Sequence, residues 1–265
     1  CPVPERTGAM KVVTDVRQLP SGCAFVPTMG ALHAGHASLM SIAKEQSENV
    51  VVSIFVNPLQ FESSEDLAKY PRTPEADIEL AAANGVTHVW LPPHADIYPK
   101  DHPVLTAGLI SHLYEGKSRP GHFDGVVTVV RRFFDLLKPS AAIFGEKDFQ
   151  QLKIVEEIAG DVKIIRAPII RETDGLAMSS RNIRLTPEGR AAATVISQAL
   201  FTSESESALR AALSSQPLFT LDYADFIDED SFLPVRSDTT HARAIVAGWI
   251  NGLRLIDNRQ MVQRS

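Results

Sequence analysis

Five short apolar runs, each followed by an amphipathic stretch, constrain this chain more than any other feature. "CAFVP" (23–27), "VVVSIFV" (50–56), "VTHVWLP" (86–92), "AAIFG" (141–145) and "VKIIRAPII" (162–170) have the length and apolar character of buried strands. Between them "GHASLMSIAKEQS", "TPEADIELAAANG", "GVVTVVRRFFDLL" and "KDFQQLKIVEEIAG" carry helical spacing. Thr73 before Pro74 suits an N-cap followed by a first-turn proline, and Gly85 and Gly160 suit helix C-terminal caps. Helical crossovers return each strand in the same direction, so the alternation predicts an α/β protein built on a doubly wound parallel sheet. Ligands of such sheets bind outside the carboxyl ends of the strands.

The pattern changes after about residue 170. "TPEGRAAATVISQALFTS" and "ESESALRAALSSQ" are spaced as consecutive helices, and "LFTLDYADFIDED", "HARAIVAGWING" and "LRLIDN" as strands with hairpin-like joins. A larger domain over 1–170 and a smaller α+β domain over 171–265 are therefore expected, in keeping with a length of 265 residues. No apolar run approaches the roughly 18 residues of a membrane span, so no membrane is expected as a partner. The net charge of −6 argues against a general nucleic-acid surface but leaves room for local anion sites. Two cysteines, Cys1 and Cys23, are too few for a disulfide framework. Cys23 is expected as a free buried thiol in a cytoplasmic, reducing compartment. The first ten residues show no basic-then-apolar leader pattern and give no fold expectation.

Three clusters at predicted strand ends, and one loop after them, carry chemistry. "VPTMGALHAGH" (26–36) puts Gly30 and Gly35 around a strand-to-helix turn, with His33 and His36 one helical turn apart. Exposed backbone N–H groups and the positive helix end would there favour an anion, with two ring N–H groups aimed at the same point. Taken alone, the pair also fits two surface histidines, or a metal pair whose further ligands are not evident nearby. "SIFVNPLQF" ends a strand in Asn57, Pro58 and Gln60; Asn57 suits a turn-stabilising Asn-Pro, and the Gln60 amide suits a hydroxy acid. "IFGEKDFQQL" ends another strand in Gly145, then Glu146, Lys147 and Asp148, with Gln151 on the same helix face. Lys147 is placed to hold phosphate, whereas Asp148 either caps the helix or meets the ligand. "RETDGLAMSSRN" (171–182) sets hydroxyls and an arginine on a loop at the domain boundary, able to close over a triphosphate or to serve as a Ser-rich hinge.

The blocks "PTMGALHAGH", "SIFVNPLQF", "EDLAKYPRTPEAD", "RPGHFDGVVTVV", "FGEKDFQQL" and "DGLAMSSRN", in this order over residues 24–184, resemble the pantoate–β-alanine ligase family of the nucleotidyltransferase superfamily. The resemblance implies a Rossmann-like first domain that binds nucleotide and pantoate, with the smaller domain as a lid. It implies ATP as a substrate with Mg2+ bridging phosphate oxygens, pantoate and β-alanine as the other substrates, a pantoyl-adenylate intermediate, and a homodimer. Carried over residue by residue, it makes His36 the proton donor, with His33 and Lys147 as further catalytic groups. Met29, Gly30, Ala31, Leu32, His33, Ala34, Gly35 and His36 form the ATP-binding turn. Gly145, Glu146, Lys147 and Asp148 form a second nucleotide segment, Ile170 a backbone contact, and Met178, Ser179, Ser180 and Arg181 the closing loop. Gln60 is implied to be shared by pantoate and β-alanine, and Gln151 to be a second pantoate ligand; no protein ligand of the metal is assigned.

Departures from the family pattern are Leu59 for methionine, Phe149 for tyrosine and Ala34 for a frequently charged residue. Asp77, Arg119 and His122 fall in matching blocks without an assigned role; a solvated helix face for Asp77 and a loop anchor for the other two are the plain expectations. A transferase that keeps the nucleotide in its product would share the phosphate groups. Gln60 and Gln151 speak for an acid substrate instead.

Overall fold

Parallel strands need crossover connections, and the crossovers here run in two directions from the middle of one sheet. A computed structural model describes residues 9–61 and 63–261. In chain order these form β1 (Lys11–Val13), β2 (Ala24–Thr28), α1 (Ala34–Gln46), β3 (Val50–Ile54), α2 (Ser64–Lys69), α3 (Pro74–Ala83), β4 (His88–Trp90) and α4 (His94–Ile97). They continue through α5 (Tyr114–Ser118), α6 (His122–Leu137), β5 (Ala141–Gly145), α7 (Phe149–Ile158) and β6 (Lys163–Ala167). A final group comprises α8 (Pro187–Thr202), α9 (Glu206–Ser214), β7 (Thr220–Asp228), β8 (Ala242–Ile250) and β9 (Leu253–Met261).

The first six strands make one sheet in the order β1-β4-β3-β2-β5-β6, with every pair parallel. The five expected strands are all present, and β1 adds a sixth at the edge that the apolar pattern does not show. From β2 the chain winds outward through β3 and β4; from β5 it winds the other way to β6. The adjoining strands β2 and β5 are thus the topological switch point, and the crevice outside their carboxyl ends is where a ligand fits.

Near-continuous apolar strands follow from burial on both faces. Phe25, Val51, Ala142 and Phe144 face α6 and α7 in one core, which holds Val126, Val130, Phe133 and Leu152. Their neighbours Ala24, Val26, Val50, Val52 and Ile143 face the other way, onto Met40 and Ala43 of α1 and Ala81 of α3. Gly85 and Gly160 follow α3 and α7 with φ of 73° and 60°, as C-terminal caps require. Cys23 is free and fully buried, and burial pushes its thiol up to about 12. Cys1 lies outside the described residues.

The chain after β6 forms a three-stranded antiparallel sheet, β7-β8-β9, with α8 and α9 packed on it. Asn251 and Gly252, with φ of 51° and 73°, join β8 to β9 in the two-residue turn that Asn-Gly favours. The β7 to β8 connection is longer, covering residues 229–241. One face of this sheet buries Ala224, Ala244 and Val246 against Ile196, Leu200, Leu209 and Leu213. The alternate residues Ile227 and Ile245, with Tyr223, join the core of the larger sheet. Polar ties add to that contact. Arg171 pairs with Asp257 through two bonds of 2.6 and 3.0 Å, and Arg254 bridges Glu115 and Asp222. Among the described residues no helix is long and apolar enough to cross a membrane.

Candidate active site

Between Thr28, the last residue of β2, and the start of α1 the backbone turns twice through the left-handed region, at Gly30 (φ 82°) and Ala31 (φ 51°). The Asp77 carboxylate, in the first turn of α3, holds that conformation. Its oxygens accept from Ala31 N at 3.0 Å and Leu32 N at 2.8 Å, and the Thr73 hydroxyl donates to it at 3.1 Å. A Cβ on Gly30 would stand 2.9 Å from Asp77 Oδ2, so only glycine fits beside the clamp. Asp77 is 2% exposed, which corrects the expectation of a solvated helix face. Thr73 sits at the N-cap position as expected, but its hydroxyl serves Asp77 rather than a helix N–H.

The turn's own N–H groups are largely committed. His33 N donates to His36 Nδ1 at 3.2 Å, and Gly35 N donates to His33 Nδ1 at 3.1 Å and lies 3.0 Å from the Met178 sulfur. With those of Ala31 and Leu32 held by Asp77, four backbone donors expected to face an anion are taken up within the protein. The same bonds determine the imidazole tautomers. Each Nδ1 is an acceptor, so each neutral ring carries its proton on Nε2. The rings lie 4.1 Å apart between centroids. Burial, then the neighbouring His33, lowers His36 to about 3; burial, then Lys147, lowers His33 as well. Both are therefore neutral N–H donors at neutral pH.

The end of β3 supplies amides. Asn57, 1% exposed, accepts from Leu59 N at 3.3 Å and from the Tyr98 hydroxyl at 2.6 Å. Its Nδ2 then donates to Gly125 O at 3.0 Å and to Gln60 Oε1 at 2.8 Å. Two donors facing Oδ1 settle the Asn57 amide, and Asn57 in turn leaves the NH2 of Gln60 for the crevice. Asn57 is the expected turn former and also orients Gln60. The Gln60 carbonyl accepts from Arg119 Nη2 at 3.2 Å and from His122 Nδ1 at 3.0 Å, the loop anchor expected of that pair. Burial, then Arg119, pulls His122 down to about 3. The turn lies directly on α6, where a Cβ on Gly125 would collide with the Leu59 carbonyl.

The end of β5 supplies Gly145, Lys147 and Asp148. Asp148 makes no side-chain cap bond to α7, so of its two expected roles the capping one is not realised. It lines the crevice instead. Its surface is open toward the chamber, yet the protein packed around it desolvates and so raises the carboxyl; Lys147, Arg181, His122 and Arg119 outweigh that and hold it below the usual carboxylate range. Phe149 lies under the Arg243 guanidinium at 3.8 Å and stacks on Phe232, an apolar contact that has no need of the hydroxyl a tyrosine would add. Met178 N bonds Ile170 O at 2.9 Å, and the Met178 sulfur meets Gly35 N, which brings the 178–181 loop over the start of α1.

These strand ends enclose one chamber of about 530 Å3. Met29, His33, Gly35 and His36 line it from β2 and α1, and Gln60 from β3. Gly145, Lys147, Asp148 and Gln151 line it from β5 and α7, and Ile170, Met178, Ser179, Ser180 and Arg181 from the segment that follows β6. Gly30, Ala31, Leu32, Ala34 and Glu146 do not line it. Gly30, Ala31 and Leu32 belong to the Asp77 clamp, and Glu146 turns toward Arg243 at 3.7 Å. Asp77, Gly125 and Tyr98 are supports that sequence reasoning does not find. Nothing in their local pattern separates them from ordinary helix residues, because their partners are 41 to 68 residues away in the chain.

These contacts predict two outcomes. Gly125→Ala should overpack the Leu59–Gln60 turn and cost about 1–3 kcal/mol, read from urea unfolding, with the Gln60 amide displaced in a structure of the variant. Because His36 and His122 titrate near 3 when folded and near 6.5 when unfolded, the unfolded chain binds more protons between those values. Stability should therefore be full above about pH 6.5 and be lost as pH falls toward 3, by up to about 1.4 kcal/mol per pH unit for each histidine. A shallower slope in His36→Asn, with urea unfolding compared at pH 7 and 4.5, checks the assignment.

The sequence profile described as Pantoate-beta-alanine ligase matches residues 5–260. A pantothenate synthetase of Acidothermus cellulolyticus is 45% identical over 257 residues, covering 90% of this chain and 85% of the relative. The crystal structure of pantothenate synthetase from Thermus thermophilus superposes with a TM-score of 0.89 at 41% identity, covering 95% of this chain and 99% of that one. A Francisella tularensis pantoate-beta-alanine ligase, complexed with beta-gamma ATP and beta-alanine, superposes with a TM-score of 0.82 at 34% identity, covering 95% and 98%. By sequence and by fold, this chain belongs to the pantoate–β-alanine ligase family.

Proposed function

We propose that this chain joins pantoate to β-alanine in an ATP-dependent reaction that yields pantothenate, AMP and pyrophosphate, through a pantoyl-adenylate intermediate. The observation that carries the reading is one chamber lined by two Nε2–H imidazoles, by Lys147 and by Gln60 and Gln151. Phosphate donors and amides suited to a hydroxy acid thus share one volume. The shared family, and the nucleotide and β-alanine bound by the Francisella relative, support the same chemistry.

In the first half-reaction a pantoate carboxylate oxygen attacks the α-phosphorus of ATP, and the bond from that phosphorus to the oxygen bridging the β-phosphate breaks. Negative charge gathers on the departing pyrophosphate. His33 and His36 donate Nε2–H bonds to it, and Lys147 supplies a full positive charge. His36 acts by donating a hydrogen bond from Nε2 to phosphate, the role its tautomer suits. Gln60 donates its NH2 to pantoate and later to β-alanine, and Gln151 is the second pantoate ligand. In the second half-reaction the β-alanine amine attacks the acyl carbon, the acyl–phosphate oxygen bond breaks, AMP departs, and the amine proton is released.

Met29 and Gly35 frame the nucleotide, backed by Ala34 and the clamped Gly30, Ala31 and Leu32, while Gly145, Glu146 and Asp148 form the turn that carries Lys147. Ile170 contributes its backbone, and Met178, Ser179, Ser180 and Arg181 close over the phosphates. Mg2+ carried by ATP would supply further neutralisation of charge. The donor set suits a metal carried by the nucleotide, because the Asp148 carboxylate stands among cationic side chains that compete for it. Residues 1–170 then form the nucleotide- and pantoate-binding domain and 171–265 the lid. A homodimer formed through the larger domain, in the cytoplasm, completes the proposal.

Pantoate-dependent exchange of labelled pyrophosphate into ATP, without β-alanine, tests the two-step order. Exchange is expected, and its absence from folded protein with Mg2+ present would sink the adenylate. His36→Ala should slow exchange about 100-fold or more, the loss typical of removing one preorganised donor. Near-normal exchange would remove His36 from the phosphate site.

A further inference from the structure

Lys147 is placed by the smaller sheet as well as by its own strand. Asn258, on β9 and 3% exposed, reaches across to the turn between β5 and α7. Its Nδ2 donates to Glu146 O at 2.9 Å and to Lys147 O at 3.0 Å. A primary amide has two N–H groups, and both are used on successive carbonyls of the lysine's own turn. The orientation of that amide is settled from behind. Arg243, on β8 and 2% exposed, donates Nη1 to Asn258 Oδ1 at 2.6 Å, and an arginine can only donate. Arg243 is held in turn by Glu229 through a 2.8 Å bond from Nε, and it lies 3.8 Å above the Phe149 ring, one residue beyond the turn. Its Nη2 also stands 3.7 Å from the Glu146 carboxylate.

The neighbouring residue ties the same strand to the segment that follows β6. Asp257, 3% exposed, accepts from Asn258 N at 2.8 Å and pairs through both oxygens with Arg171, near the root of that segment. Adjacent strand residues point to opposite faces, so one step of β9 contacts the lysine turn on one side and the loop root on the other. Asn258 itself does not line the chamber.

We propose that Asn258, oriented by Arg243, is a positioning residue for Lys147, so that docking of the smaller sheet sets where the phosphate-facing ammonium stands. The inference rests on the phosphate role assigned to Lys147 above. A flexible lysine can find its ligand only from a backbone held in the right place, and a displacement of about 1 Å in such groups costs on the order of 100-fold in rate. The effect belongs to the first half-reaction, in which pyrophosphate leaves. Attack of β-alanine on an adenylate already made has no β- or γ-phosphate for Lys147 to hold.

The test uses the full chain and two assays: pantoate-dependent pyrophosphate exchange, and conversion of chemically prepared pantoyl adenylate with β-alanine. Asn258→Asp keeps the shape but turns an acceptor toward the two carbonyls. Exchange should fall about 30-fold or more, whereas the second assay should stay within about threefold of the parent protein. In a Lys147→Ala background, Asn258→Asp should add less than about twofold to the loss in exchange, because the two residues act through one contact. Equal losses in both assays, or losses that multiply independently in the double variant, would show that Asn258 only stabilises the fold and would overturn the proposal. Unchanged exchange in Lys147→Ala alone would instead overturn the phosphate role on which it rests. If Asn258→Asp does not accumulate as folded protein, Asn258→Ala takes its place in both assays and in the double variant, with the same expected and overturning results.

Discussion

The adjacency of two parallel strands whose crossovers leave in opposite directions underlies everything else in this molecule. β2 and β5 pair only near their starts, Ala24 with Ala141 and Phe25 with Ala142. Beyond that pairing they open a crevice at their carboxyl ends, and no helix crosses it because none connects these neighbours. The turn that carries His33 and His36 leaves from one strand, and the turn that carries Lys147 leaves from the other. β3, beside β2, adds Gln60. Groups from three separate places in the chain therefore face one volume without any of them having to cross the sheet.

Holding those groups in place falls to polar side chains that are themselves buried. Asp77 keeps two backbone N–H groups of the histidine turn, Asn57 keeps the Gln60 amide, and Asn258 keeps two carbonyls of the lysine turn. Each support is satisfied on both sides, which is what makes burying it tolerable. The consequence for chemistry is that the groups presented to a ligand are side-chain donors of defined orientation. The imidazoles offer Nε2–H because their Nδ1 atoms are occupied, and Gln60 offers NH2 because its oxygen is occupied. Such preorganisation is the usual source of electrostatic catalysis, since little reorientation remains to be done when charge develops.

The smaller sheet is joined to this arrangement by more than a hinge. Ile227, Ile245 and Tyr223 share the core of the larger sheet, and Arg254 and Arg171 make ion pairs across or beside the contact. Through Asn258 and Arg243 the same sheet reaches the lysine turn.

Much of this is legible in the residues. Five strands, their helices and the change of pattern after residue 170 follow from apolar periodicity, because burial on two faces demands continuous apolar runs and burial on one face demands spacing. His33, His36, Lys147 and Gln60 stand out because reactive polar residues at the ends of apolar strands have no packing reason to be there. β1 escapes such reasoning because three residues at a sheet edge carry too little pattern. By itself the sequence determined the layered α/β architecture and which side chains carry charge and hydrogen-bonding capacity at the strand ends. Only the tertiary structure decided that Asp77 is a buried clamp, that four backbone donors of the histidine turn are already taken, which imidazole nitrogen bears the proton, and that Asn258 holds the lysine turn. The clamp and the Asn258 tie depend on contacts 45 to 112 residues apart in the chain, and no local pattern encodes a partner that arrives from another element of the fold.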